Sequence, residues 1–145
     1  MRPLPVAVAL AALATAGCLP DDHGAVLLHF ESRTDGSSAP PSYTSSRAAA
    51  AFTPDGLVHL SATSNQGILQ VTVDGPLALG ATIDLPPGEP RVRYTIADSS
   101  WTSDGGTLSV LSIDPAIISF TSVPMHPSAG PATGSFTLTG GGTFR

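Results

Sequence analysis

The chain has 145 residues, of which 41% are hydrophobic and only 12% charged, which suits one domain with a modest core and excludes a disordered polyelectrolyte. Six arginines, no lysine and eleven acids leave a net charge of −5, without the basic stripe that a phosphate backbone requires, so no nucleic-acid partner is expected. Fifteen glycines and fourteen prolines are spread along the chain, which disfavours long helices and fits many short strands, each with its own turn.

Residues 1–17 carry one positive residue, Arg2, then an apolar stretch and small residues directly before Cys18, the pattern of an export signal. The apolar run is shorter than the roughly 20 residues that span a bilayer, and it lies outside the fold. Cys18 is the one cysteine of the chain, so the mature domain rests on burial and hydrogen bonds without an internal disulfide. Residues 18–23 read as a tether. The single β domain is expected over 24–145.

Residues 25–31 have β-branched and aromatic content with poor alternation, an edge strand by this reading. Residues 32–47 hold Asp35-Gly36-Ser37-Ser38 and Pro40-Pro41, and are expected to be a flexible loop. A hairpin follows at 50–52 and 57–61, turning on Thr53-Pro54-Asp55-Gly56. Residues 68–73 alternate, with Leu69, Val71 and Val73 on one face. Leu77, Leu79, Ala81, Ile83 and Leu85 share a parity, which predicts a strand bent at Gly80.

Residues 91–97 form the cleanest half-buried strand, with Val92, Tyr94 and Ile96 inward and Arg91, Arg93 and Thr95 outward. Ser99-Ser100-Trp101-Thr102-Ser103 reads as a polar loop. Residues 106–123 are the central hairpin, two apolar-rich runs flanking Asp114-Pro115, each covered on both faces. Residues 124–131 are expected to be a loop, 135–139 a strand, Gly140-Gly141-Gly142 a turn and 143–145 the start of a closing strand. The fold class is therefore all-β: a single antiparallel β-sandwich or small open barrel of about seven to nine short strands.

Ala16-Gly17-Cys18 resembles the end of the lipobox of bacterial lipoprotein precursors, in which the cysteine is acylated and becomes the first mature residue. Thr15 stands where those motifs usually carry leucine, and Ala14-Thr15-Ala16 also fits an A-x-A site for ordinary signal peptidase. The resemblance implies a membrane anchor on Cys18 and a place in the cell envelope; the A-x-A site implies a secreted or periplasmic soluble protein. Asp21-Asp22 in the tether would be repelled by an anionic leaflet, which favours a domain standing off the surface.

A second resemblance runs from Leu60 to Phe144. Leu69-Gln70-Val71-Thr72-Val73, Leu79-Gly80-Ala81-Thr82-Ile83, Arg93-Tyr94-Thr95, Gly106-Thr107-Leu108 and Gly142-Thr143-Phe144 are similar, in that order, to motifs of small exported bacterial all-β domains of unknown function. It implies fold and export, and no functional residues.

His23, His29, His59 and His126 lie in no metal-ligand spacing, and Asp55, Asp74 and Asp104 each precede a glycine, as turn residues do. There is no Gly-x-Ser-x-Gly elbow, and the glycine run lacks the Lys-Ser/Thr of a phosphate loop. No cofactor and no catalysis are expected. The expected role is a structural or surface contact with a protein or glycan partner; the alternative is a small-molecule or glycan binder using the barrel interior or the loop of Trp101, beside Tyr94.

Overall fold

The structure, a computed structural model, describes residues 24–34 and 36–145. The export signal at 1–17, the tether at 18–23 and Cys18 itself lie outside the described residues. Ten strands are described: β1 (Gly24–Glu31), β2 (Ser42–Phe52), β3 (Leu57–Ser64), β4 (Gly67–Asp74), β5 (Thr82–Asp84), β6 (Val92–Ile96), β7 (Ser99–Ser103), β8 (Thr107–Ile113), β9 (Ala116–Ala129) and β10 (Phe136–Phe144).

All their pairings are antiparallel, in the order β10-β1-β2-β3-β4-β6-β7-β9, and β9 pairs back onto β10. Eight strands thus close into a barrel, the size at which side chains alone can fill the interior. The sequence expectation of an all-β fold holds, in its barrel form and closed.

β9 explains the two further strands. On one edge it is covered by β10 from Ala116 to Met125; on the other it pairs with β8 as far as Ser122 and with β7 from Met125 onward. β8 and its neighbour β5 therefore extend the sheet beside the barrel mouth, and β5 is an edge strand.

Alternation decides which side faces inward. Val26, Leu28 and Phe30 of β1, Leu69, Val71 and Val73 of β4, and Val92 and Tyr94 of β6 are buried, while His29, Gln70 and Arg93 between them point out. An apolar inside and a polar outside is the arrangement of a barrel standing in water, the reverse of one lining a membrane pore.

Several strand expectations are corrected by this closure. β1 alternates fully and lies between β10 and β2, so it is not an edge. The expected loop at 32–47 ends at residue 41, because β2 begins at Ser42. In that strand Ser45 is buried; its hydroxyl donates to the Thr63 carbonyl (2.6 Å) and accepts from the Arg47 amide (2.9 Å), satisfying a polar group that sequence patterning reads as loop.

Of the strand expected around 77–85 only Thr82–Asp84 forms. The Ala81 amide bonds to the Ala78 carbonyl, closing a turn in which Gly80 takes φ +77°, and Leu79 is left outside. Residues 99–103 are strand β7, not a loop; a tight turn at Ala97-Asp98 pairs Ile96 with Ser99.

The loop expected at 124–131 is mostly strand as well, despite Pro124 and Pro127. The Pro124 carbonyl accepts from the Asp104 amide, so the missing N–H of that residue points at the seam where β9 changes neighbours from β8 to β7. Pro127 lies beyond the last pairing with β10, where one edge of β9 has lost that neighbour. Both are places where a strand tolerates proline.

The glycine run at 140–142 is not a turn. β10 passes straight through it between β1 and β9, and a Cβ on Gly141 would sit 2.6 Å from the Ile118 carbonyl oxygen, one on Gly140 2.4 Å from that of Leu27. These glycines let the two walls approach closely enough to close the barrel.

Candidate functional site

The barrel interior is an aromatic cluster. Phe30 and Phe136 stack with centroids 4.4 Å apart, Tyr94 meets Phe30 edge-on at 4.9 Å and Tyr43 at 5.6 Å, and Trp101 lies 5.9 Å from both Tyr94 and Phe136. Tyr94 and Trp101, the two residues that the sequence marks as ligand candidates, are brought together here, and both have 0% exposure.

Each polar tip in this cluster has a partner. The Trp101 indole N–H donates to the Gly134 carbonyl at 2.9 Å, the Tyr43 hydroxyl to the Gly67 carbonyl at 3.1 Å, and the Tyr94 hydroxyl to the Gln66 carbonyl. Burial pushes the hydroxyl pKa of both tyrosines up, because the phenolate would lose its water. The cluster is thus a satisfied core, and the interior offers a ligand no open face of Trp101 or Tyr94.

The polar surface lies on the outer wall. Cross-strand register places Ser61 of β3 beside Gln70 of β4, Gln70 beside Arg93 of β6, Arg93 beside Thr102 of β7, and Thr102 beside His126 of β9. Five strands therefore contribute one row of hydrogen-bonding side chains, stepping by about 4.8 Å from strand to strand.

A shallow groove of about 250 Å³ runs beside this row, lined by His59, Ser61, Gln70, Thr72, Arg91 and Arg93 among others. Its two arginines differ. Arg91 is held at the edge by Glu89 (3.2 Å) and Asp74 (3.5 Å), whereas Arg93 makes no ion pair among the described residues. His59 Nδ1 lies 3.3 Å from the Thr72 hydroxyl, and His126 Nδ1 lies 2.9 Å from that of Ser135. The groove can accept an acidic or hydroxyl-bearing partner by charge and hydrogen bonding.

Among the described residues no three His, Cys, Asp or Glu side chains converge as metal ligands would. His29, His59 and His126 lie on three different strands, on β1, β3 and β9. Sequence patterning assigns Arg93 and His59 to the solvent face, but the row that holds Arg93, and the groove beside it that His59 lines, become visible only once β6 is known to skip past β5 and pair with β4. No protein-family model, curated protein or solved structure matches this chain.

Proposed function

We propose that the protein is an exported, lipid-anchored, non-enzymatic β-barrel domain of the bacterial cell envelope, acting through contacts on its outer wall. The observation that carries this reading is the filled interior: with Trp101 and Tyr94 at 0% exposure, the surface available to a partner is the wall that bears the Ser61, Gln70, Arg93, Thr102 and His126 row. Arg93 supplies a cation on a chain of net charge −5, which suits an acidic protein segment or an acidic glycan. Export and anchorage rest on the signal at 1–17 and on Cys18.

The experiment is mass analysis of the mature N terminus in membrane and soluble fractions of an exporting bacterial host. An acylated chain beginning at Cys18 in the membrane fraction, moved to the soluble fraction by Cys18→Ser, is the expected result. An unmodified chain beginning at Gly17 would overturn the anchor.

A further inference from the structure

Large apolar side chains left in water gather toward the end of the barrel where Gly24 enters, whereas Leu27 on the wall and Ile68 at the opposite end are exposed singly. β2 ends there at Phe52, which is 60% exposed, and the β8–β9 hairpin ends there at Ile113, which is 41% exposed. The two residues face one concavity, floored by Ala116 and Phe144. Leu111, two residues back along β8, is 59% exposed; Leu79, in the turn whose Gly80 amide bonds to the Val110 carbonyl, is 70% exposed. The apolar surface therefore runs from the end face down the β8 flank.

We infer that this rim, Phe52 and Ile113 with Leu111 and Leu79 on the adjoining flank, lies against the lipid surface that receives the Cys18 anchor. The inference rests on the anchored reading above. Its own support is the length of the connection. From Cys18 to Gly24 there are six Cα steps, at most about 20 Å of chain. Gly24 pairs with Ala48, four residues short of Phe52 on the neighbouring strand, about 14 Å along the strand and so about 10 Å along the axis of a barrel whose strands tilt by roughly 40°.

Even fully extended, a connection of that length can clear the end face by no more than about 10 Å, comparable with the depth to which interfacial segments bury their apolar side chains. The sequence expectation that Asp21-Asp22 holds the domain off the surface meets this limit: charge can tilt the barrel, but the connection is too short to remove it. Asp55, Asp74 and Asp114 are acids of the same end, Arg145 lines the concavity with Asp114, and Arg91 is taken up by Asp74 and Glu89, so the end carries no surplus of cations; contact is apolar rather than electrostatic and does not require anionic lipid.

The test uses the full acylated chain in phosphatidylcholine vesicles containing brominated lipid, which quenches tryptophan on contact. Phe52→Trp adds a reporter at the rim. Ile68→Trp adds one at the opposite end, beside the β3–β4 turn, where Ile68 is 43% exposed. The parent, with only the buried Trp101, is the baseline.

Quenching of the Phe52→Trp emission by about twofold, with the Ile68→Trp and parent emissions unchanged, is expected for a rim at the headgroup boundary. Equal emission from both variants with the acyl group present on Cys18 would overturn the inference and leave the anchor standing. A blue shift at Phe52→Trp without bromine quenching, in a chain that sediments as a dimer, would assign the rim to a second copy and overturn it too. A mass lacking the acyl group would remove the anchored reading, and the inference with it.

Discussion

Replacing Trp101 separates a packed barrel from one that holds a ligand. The side chain has 0% exposure, touches Tyr94 and Phe136, and satisfies the Gly134 carbonyl. An indole removes on the order of 200 Å² from water, about 5 kcal/mol at about 25 cal/mol per Å². Alanine keeps only the Cβ and leaves a cavity, so Trp101→Ala is expected to cost about 4 kcal/mol, within the usual range for buried aromatic truncations. Trp101→Phe preserves most of the packing and removes the indole donor, which predicts a loss of about 1 kcal/mol. Urea unfolding followed by far-ultraviolet circular dichroism measures both. A loss below about 1 kcal/mol for Trp101→Ala would refute the packed interior, since it falls well short of any buried aromatic in this range. So would acrylamide quenching of the parent tryptophan as strong as that of a free indole.

The two tyrosines of the chain, Tyr43 and Tyr94, are both fully buried with raised hydroxyl pKa values. The unfolded chain ionises near the ordinary value of 10.0 while the folded one does not, so their contribution to stability is complete below that pH and is lost as the pH rises above it. Phenolate absorbance is therefore expected only together with loss of the β signal, and a smooth titration near pH 10 of an intact barrel would contradict this. Gly141→Ala forces a Cβ to 2.6 Å from the Ile118 carbonyl oxygen and should cost about 2 kcal/mol or more, measured by the same urea unfolding. Gly88→Ala, with nothing within 4 Å, meets only the strain of φ +78° and should cost about 1 kcal/mol. Arg93→Ala on the outer wall should change stability by no more than about 0.5 kcal/mol, so a larger loss would show that Arg93 holds the wall together and is not free for a partner.

The fold class is legible wherever period-two alternation coincides with a turn residue. Leu69, Val71 and Val73 point inward as their spacing predicts, and Asp114-Pro115 connects β8 to β9 as proline's missing donor requires. What the local pattern gets wrong is what closure decides. Proline and glycine mark chain breaks in most contexts, yet Pro124 fits because its missing N–H falls at a change of neighbours, and Gly141 because a neighbouring backbone occupies the place of its side chain. Each depends on a partner strand that the residue's own neighbours in sequence do not reveal. Leu111 and Ile113 fail for the complementary reason: their parity is that of a covered face, but β8 lies outside the closed wall and has no sheet packed over its outer side.

The site was less legible than the fold because polar groups mislead in both directions. Ser99-Ser100-Trp101-Thr102-Ser103 has one apolar residue among four hydroxyls, the composition of a loop, and it is a strand in which the two most deeply buried hydroxyls are used by neighbours. Ser100 and Thr95 hydroxyls lie 3.0 Å apart across β6 and β7, and the Ser103 hydroxyl accepts from the Arg91 and Val92 amides at 3.1 and 2.9 Å. With those bonds made, the segment can bury Trp101 and still present Thr102 outward beside Arg93. The same five residues thus supply the centre of the core and one place in the outer row, and a substitution test must treat the two separately. Thr102→Val would keep the strand and remove one hydroxyl from the wall; if it weakened the barrel as much as Trp101→Ala, the division between a structural interior and a working exterior would fail.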